Sequence, residues 1–382
     1  MDPERMKYDV IIVGAGPAGA VLAWKLPKKL QVLVIDKRHL MDPELVQKEA
    51  KCCGGMLDHS AQKELAHLGL PLPREVIMPP QIFTVRAIDF DSRMERYYQR
   101  NYLNIDRAEF DAFLISQAEG KSNVRILTGA SVYRIEEKEN EVSVFVRQED
   151  GKTEEYTADH LVGCDGASSI VRRYAISQYR PKIRLPRVYA SIQEWHKVSE
   201  PVPYYGAMFD HRVTDYYSWT IPKTIGKENY LLLGSAIPAD RNVKDCFEIL
   251  RADMTTRGFA VQNPVKTTGA VILRPRMWGS IYTGESRFLL CGEAAGLISP
   301  SSSEGISFAL RSGEALAKAF AKASASSGEL RKLYEQKLKH LKFSIMLKSF
   351  KSPVMYKAPL RSLVFRTRAL SMKVLKDTER WT

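Results

Sequence analysis

The chain opens on an apolar run, Tyr8–Val13, followed by a glycine-rich turn and a helical pattern, together YDVIIVGAGPAGAVLAWKL. A second apolar run, QVLVID (31–36), has the character of a buried strand ending in an acid. This order predicts a β-α-β unit with a short helix, closed early by Pro27. IDRAEFDAFLISQ (105–117) alternates as an amphipathic helix does. Residues 124–166 give several short strands broken at EN and EDG turns, a β-meander that rejoins the parallel sheet at LVGCD. Residues 182–275 are rich in aromatic and β-branched positions with turn punctuation, which predicts a separate antiparallel sheet. FLLCGEAAG (288–296) is another buried strand running into small residues, and Gly305–Ala323 is a helix. The rest is a series of basic amphipathic helices broken at Pro353 and Pro359, and no internal repeat is visible.

A length of 382 residues suits two intimately joined domains. The pattern divides them into an α/β domain, discontinuous over 1–80, 100–180 and 276–325, and an inserted antiparallel-sheet domain over 81–99 and 181–275. A basic helical region, 326–382, follows. Hydrophobic content of 45% and charged content of 26% are those of an ordinary globular chain. The cysteines (Cys52, Cys53, Cys164, Cys246, Cys291) are odd in number and irregularly spaced, so they form no disulfide framework and suit a reducing compartment. They also lack the paired spacing of a metal site, and none is expected. The opening MDPERMKYDV is charged and leads straight into a strand, unlike a signal peptide. No apolar run approaches the roughly 20 residues a bilayer span needs. The expectation is a cytoplasmic protein.

Charge then changes the picture. The net charge is +13, and from Glu329 to Thr382 there are 14 Lys and Arg against 4 acids, so +10 of it lies in that stretch. The tail mixes Phe343, Ile345, Met346 and Phe350 with its lysines, which suits a helix lying peripherally on an anionic membrane surface. No nucleic-acid-binding fold accompanies the charge, so nucleic acid is not the expected partner.

The candidate chemistry begins at Gly14-Ala15-Gly16-Pro17-Ala18-Gly19, a GxGxxG turn between strand and helix, with Asp36 ending the next strand. The glycines allow a tight turn and close approach of a pyrophosphate, the helix N-terminus supplies positive potential, and Asp36 can accept from a ribose. Far downstream, Cys164-Asp165-Gly166, followed by Val171-Arg172-Arg173, resembles the DG motif of flavoprotein hydroxylases and reductases. Gly292-Glu293-Ala294-Ala295-Gly296, with Gly305-Ile306, resembles their GD motif, whose acid holds the ribityl chain; here Glu293 stands for Asp, one methylene longer. The three motifs in this order point to FAD rather than NAD. A helix starting near Gly305 would direct its N-terminal dipole at the flavin and ease storage of two electrons.

KCCGGML (51–57) falls into place in that setting. In such a fold the segment after the second strand crosses in front of the flavin ring, and Gly54-Gly55 would let the backbone lie against it. Cys53, beside the glycines, is then either a thiol facing the substrate cavity or a structural cysteine beside a turn.

On these residues the chain resembles the geranylgeranyl-reductase family of FAD-dependent oxidoreductases. That family's K-P-C-G-G stretch is matched by Lys51, Cys53, Gly54 and Gly55, with Cys52 for the proline. Its Y-x-W-x-F-P motif is matched by Tyr217, Trp219 and Pro222, with Ile221 for the phenylalanine. Its later Gly-x-Gly is Gly234-Ser235-Ala236 here. PQIFTV (80–85), YQRNYLNIDRAEFD (98–111), LVGCDGASSIVRR (161–173) and GEAAGLISPSSSEGISFAL (292–310) extend the likeness over most of the chain.

The resemblance implies a three-layer, Rossmann-like FAD-binding α/β fold of the hydroxylase and reductase type, and a reductase that saturates double bonds of an isoprenoid or lipid-like substrate. It implies Lys37 and Arg107 as further cofactor contacts, Tyr217, Trp219 and Pro222 as substrate contacts, and NAD(P)H or a ferredoxin-like protein as electron donor. The proton for the alkene would come from Cys53, Tyr217 or water. Two rival functions share the FAD motifs. One is a monooxygenase or halogenase, since Ser218–Pro222 (SWTIP) approaches the halogenase W-x-W-x-I-P; the other is a flavin-containing lipid-binding protein without turnover.

Overall fold

A computed structural model describes residues 7–183, 185–275, 278–323, 327–368 and 370–372. The charged opening (1–6) and the last part of the basic tail (373–382) lie outside the described residues. The first third contains β1 (Lys7–Val13), α1 (Pro17–Lys25), β2 (Val32–Ile35), β3 (Met56–Leu57), α2 (His59–Leu68), β4 (Ile82–Asp89) and β5 (Met94–Asn104). Next come α3 (Arg107–Ser116), β6 (Val124–Leu127), β7 (Ala130–Glu137), β8 (Val142–Gln148), β9 (Thr153–Gly163) and α4 (Ile170–Tyr179). The middle holds β10 (Arg187–Val198), β11 (Tyr205–Phe209), β12 (Ser218–Ile225), β13 (Glu228–Pro238), α5 (Val243–Thr256) and β14 (Pro264–Arg274). The chain continues with β15 (Gly284–Glu285), β16 (Phe288–Leu290), α6 (Ile306–Phe320), α7 (Ser327–Lys337), α8 (Lys339–Tyr356) and α9 (Ala358–Thr367).

These strands form two sheets. In the first, the order is β15-β16-β9-β1-β2-β6, with β7 and β8 attached through β9. β1 pairs in parallel with β2 and β9, and β16 pairs in parallel with β9. A strand covered on both faces must be apolar along its whole length, which is why VIIV and VLVI lack polar alternation. α1 is short and buried from Pro17 to Ala23, and its C-cap, Leu26, directly precedes Pro27. It can lie close to α6 because Gly313 has no side chain: a Cβ there would stand 2.4 Å from the Ala18 carbonyl oxygen.

The second sheet has the order β14-β10-β13-β12-β11-β4-β5-β3. Most of its pairs are antiparallel, as the residue pattern predicts, but β11 pairs with β4 in parallel. α5 is a second departure, a helix inside the stretch expected to be all sheet. Asn242 caps it, and Cys246, Phe247, Leu250 and Met254 face the sheet at helical spacing, a signal masked by the aromatic-rich strands around it.

The C-terminal helices are part of the core. Tyr334, Leu338, Leu341 and Ile345 are buried against the first domain, and Phe365 against the second sheet. Arg361, 3% exposed, binds the buried Asp89 at 2.8 Å and also Asp91. Pro353 does not break the chain as expected but lies within α8; the break comes at Lys357, and Pro359 sits in the first turn of α9. Among the described residues no helix is long and apolar enough to cross a membrane.

Candidate FAD and substrate site

The glycine turn, the DG turn and the GE turn meet at the C-terminal ends of β1, β9 and β16, where open parallel sheets bind ligands. The Cys164 N–H donates to the Val13 carbonyl at 2.7 Å and the Cys291 N–H to the Gly163 carbonyl at 2.9 Å. Gly14 has φ +97°, and a Cβ on it would stand 2.5 Å from the Cys164 carbonyl oxygen; one on Gly19 would stand 1.9 Å from the Gly14 carbonyl oxygen. Both glycines serve packing. Gly16 is different, because the nearest atom to a Cβ built there is Arg38 Nη2, at 4.0 Å. The chain itself gives no reason to omit a side chain at Gly16. The space lies before the N-terminus of α1, which has no side-chain cap and no acid in its first turn. That is a cradle for a pyrophosphate. Ala18 is buried on the same helix and packs near Gly292, whose Cβ would stand 3.2 Å from it.

At the end of β2, Asp36 accepts from the Ala15 N–H at 2.7 Å and from the Arg38 N–H at 2.9 Å. Lys37, expected to touch the cofactor, is exposed, and its neighbour Arg38 turns inward instead. Asp165 Oδ2 accepts from the Ile170 N–H at 2.8 Å, while its Oδ1 is buried with no hydrogen-bond partner among the described residues. Burial pushes this carboxyl up despite the N–H groups around it. A cofactor hydroxyl would satisfy that orphaned acceptor. Gly166 and Gly296 take left-handed φ, +71° and +77°, as their turns require. Glu293 accepts from the Leu273 N–H at 3.1 Å, and its other oxygen lies 3.6 Å from Lys51 Nζ. Gly305 caps α6 and Ile306, which is buried, begins it. These residues fit FAD: the space at Gly16 would take its pyrophosphate, and the unpartnered Oδ1 of Asp165 would accept from a cofactor hydroxyl.

The KCCGG segment runs from the DG and GE turns to the second sheet. Lys51 Nζ lies by Gly166 and Glu293, and at the far end Gly54 and Gly55 meet the substrate sheet. A Cβ on Gly54 would stand 2.2 Å from Ile221 Cδ1, and one on Gly55 (φ +63°) 2.3 Å from the Ile105 carbonyl oxygen. Gly55 is therefore demanded by its left-handed backbone and by the Ile105 carbonyl before α3, whereas the contact of Gly54 is with the movable end of the Ile221 side chain on β12.

Cys53 sits among cations. Burial would raise its thiol, but the Arg107 guanidinium, the Gly55 N–H and Lys51 together hold it below the ordinary value. Arg107, expected to contact the cofactor, is largely but not fully buried and binds Asp111 (Nε to Oδ1, 2.7 Å), and Asp111 binds Arg38 (Nη1 to Oδ2, 2.8 Å). A continuous set of paired, largely buried charges thus runs from Asp36 through Arg38 and Asp111 to Arg107, beside the Cys53 thiol. Cys52 faces the other way, toward Thr268 and Ser191, and burial raises its thiol.

Behind Gly55 lies Lys223, which is 2% exposed. Its Nζ donates to the Ile105 carbonyl at 2.8 Å, to the Gly55 carbonyl at 3.3 Å and to Asn104 Oδ1. Three acceptors suit an ammonium, yet burial pulls its pKa down to about 7, against the pull of Cys53 and Asp106.

The aromatic wall stands beside this segment. Tyr217, just before β12, and Trp219 within it have ring centroids 5.6 Å apart. Tyr216 lies 4.9 Å from Tyr217 and 4.8 Å from Tyr356 of α8. The Arg274 guanidinium rests 4.0 Å from the Tyr216 ring centroid and 4.7 Å from that of Tyr356. Trp219 needs Gly234 opposite, where a Cβ would stand 2.4 Å from the indole. These rings also pack on one another as the core of the second sheet. Tyr217 donates its phenol to the Ser302 carbonyl at 2.7 Å, and burial holds its pKa well above the usual range. Pro222 lies farther along β12 and accepts from Asn104 Nδ2 at 2.9 Å. Glu304, at the N-terminus of α6, accepts from the Ser307 N–H at 2.7 Å. Burial and Asp58 raise it to about 7, against the Ser307 hydrogen bonds and Lys348.

Arg38, Gln193, Lys223, Arg274, Glu304 and Tyr356 were not singled out by the sequence reading. Only Lys223 left a local sign, a lone cation in the apolar strand Trp219–Ile225; the others become visible only when distant segments meet.

Residues 7–341 match the family model described as "FAD binding domain". Protein CbrA of Escherichia coli O6:H1 is 35% identical over 370 residues, 97% of this chain and 96% of that protein. Among solved structures, a geranylgeranyl bacteriochlorophyll reductase-like protein from Thermoplasma acidophilum superposes with a TM-score of 0.77 at 18% identity, covering 98% of this chain and 94% of that one. The flavin-dependent halogenase CmlS gives 0.69 at 15% identity, covering 98% and 69%. At such identities the two structures speak for the fold alone, and they agree with the α/β architecture of the flavoprotein hydroxylases and reductases. With the cradle at Gly16, the orphaned acceptor of Asp165 and a match over nearly its full length, the chain belongs to the FAD binding domain family, alongside the CbrA proteins.

Proposed function

We propose that this flavoprotein is an oxidoreductase that reduces carbon–carbon double bonds of an isoprenoid or similarly lipid-like substrate. The observation that carries the reading is the continuity between the Cys53 segment and the aromatic wall. Gln193 Nε2 donates to the Cys53 carbonyl at 3.4 Å, and Gln193 Oε1 accepts from Trp219 Nε1 at 3.2 Å. An apolar chain lying on Tyr217 and Trp219 would thereby have its end beside the Cys53 segment. Bound FAD supplies the hydride, refilled from NAD(P)H or a ferredoxin-like donor.

The protein's part is the proton. An isolated alkene accepts hydride poorly, so protonation must accompany the transfer. Tyr217 keeps its proton on Ser302 and is raised away from neutrality, which suits a binding role. Cys53 is moved the other way: the Arg107 guanidinium, the Gly55 N–H and Lys51 hold its thiol below the ordinary value and so make it the more acidic of the two groups. We assign Cys53 as the proton donor, Arg107 as the group that sets its acidity, and Tyr217 and Trp219 as the substrate wall. Pro222 contributes by holding β12 against Asn104.

The alternative, a monooxygenase or halogenase, draws on the SWTIP stretch and on the shared fold with CmlS. Mass spectrometry of lipids extracted from the purified holoprotein separates the two. Polyprenyl chains in the extract support the reductase. Their absence, together with oxygen-dependent product formation on an aromatic compound, overturns it.

A further inference from the structure

α8 has two faces with different business. Its inner face carries Leu341, Ile345 and Ser352, all buried, and Tyr356, whose ring packs on Tyr216. Arg274 Nη2 donates to Ser352 Oγ at 2.7 Å, fixing the helix to the second sheet. Ile345, which the sequence reading expected to insert into lipid, is therefore occupied in the core. The outer face carries Phe343 (48% exposed), Leu347 (44%), Phe350 (71%) and Val354 (41%). Their spacing of i, i+4, i+7 and i+11 puts them on one stripe of the helix. Leu360 and Leu363 of α9, 43% and 61% exposed, add to the apolar surface of the same region.

The flanks of that stripe have one sign. Lys339, Lys351 and Lys357 of α8 and its C-cap are exposed, as is Arg366 of α9, and no Asp or Glu occurs between Lys339 and Thr367. A stripe awaiting a second copy of the chain would bring these cations together across a twofold axis, with no acid in either helix to offset them. An apolar stripe on helices whose own charges are all positive is complementary to a surface that is apolar within and anionic at its rim.

We infer that the outer face of α8, extended by α9, docks on an anionic lipid bilayer. Phe343, Leu347, Phe350 and Val354 enter the acyl boundary while Lys339, Lys351 and Lys357 meet lipid phosphates. The opposite face of the same helix packs on the aromatic wall, so docking sets that wall a helix diameter from the bilayer. The inference stands on the surface of α8 and holds whatever the substrate is.

Co-sedimentation of the FAD-loaded full chain with vesicles tests it, comparing phosphatidylcholine alone with phosphatidylcholine containing phosphatidylglycerol, at low and high salt. Point variants serve better than truncation, because removing α8 would also remove Leu341, Ile345 and Tyr356 from the core. Binding is expected to anionic vesicles and to weaken with salt. Phe350→Glu should lower the partition coefficient by roughly tenfold, with melting temperature and flavin absorbance unchanged. Lys351→Glu should weaken binding to anionic vesicles but not the weak residual binding to neutral ones. The proposal is overturned if the wild type binds no vesicles, or if Phe350→Glu binds as well as the wild type. It is also overturned if light scattering shows a dimer that Phe350→Glu dissociates, since the stripe would then be a subunit interface.

Discussion

Cys53 and Trp219, 166 residues apart in the chain, are joined by the side-chain amide of Gln193, which donates to the Cys53 carbonyl and accepts from the Trp219 indole N–H. One amide thus ties the Cys53 segment to the wall proposed to hold the substrate. Gln193→Leu keeps the volume and removes both bonds, leaving a buried indole N–H without a partner. The expected loss is about 1–3 kcal/mol of stability, measured by chemical denaturation with FAD present. Gln193→Glu, which can still accept from the indole, should lose less; equal losses would show that the link carries no weight.

The glycines of the first turn separate into two kinds. Gly16→Trp should leave a folded protein that no longer retains FAD, because the side chain enters the space before α1 rather than other protein atoms. Gly19→Ala should fail to fold or melt far lower, since its Cβ would overlap the Gly14 carbonyl at 1.9 Å. Circular dichroism and flavin content measured on both variants check the distinction. Full flavin occupancy in Gly16→Trp would remove the cradle assignment.

Arg107 sets the Cys53 thiol, and Arg107→Gln should move the alkylation profile of Cys53 to higher pH, read peptide by peptide in a mass spectrometer. Asp111 keeps Arg38 as a partner, so the stability cost should be about 3 kcal/mol or less. An unchanged profile would mean that the Gly55 N–H and Lys51 lower the thiol without the guanidinium.

Lys223 predicts a slope in stability. Its pKa falls from 10.5 to about 7 on folding, so between those values the unfolded chain binds more protons than the native one. Stability contributed by this site therefore rises with pH across that window, by up to about 1.4 kcal/mol per pH unit. Lys223→Met should flatten the curve between pH 7 and 10 relative to the wild type. Parallel curves for the two proteins would show that the three acceptors keep the ammonium charged throughout.

The FAD half of the molecule was legible because its signals are local. Gly14–Gly19, Asp165-Gly166 and Gly292–Gly296 are turns whose backbone needs show in short strings, and strands such as Val10–Val13 and Val32–Ile35 declare their burial by composition. The site residues that escaped are long-range. Gln193 matters because β10 passes between Cys53 and Trp219, and Glu304 because burial and Asp58 act on it together. Gly55 has a reason that the sequence did not show, its left-handed backbone beside the Ile105 carbonyl. α5 was hidden by the strands around it. The C-terminal helices were read as amphipathic, but which face is core could not be told until Tyr356 and Arg361 met their partners.

The central claim is that the flavin of this protein reduces a carbon–carbon double bond with a proton from Cys53. Its most direct test is a single turnover without oxygen, mixing reduced holoprotein with a polyprenyl lipid, following flavin reoxidation and weighing the product. Reoxidation is expected in the absence of oxygen, with a product heavier by two hydrogens per turnover and a slowed reoxidation step in Cys53→Ala whose flavin is reduced at the normal rate. A flavin that stays reduced until oxygen is admitted, with oxygen appearing in the product or halide being required, would contradict it.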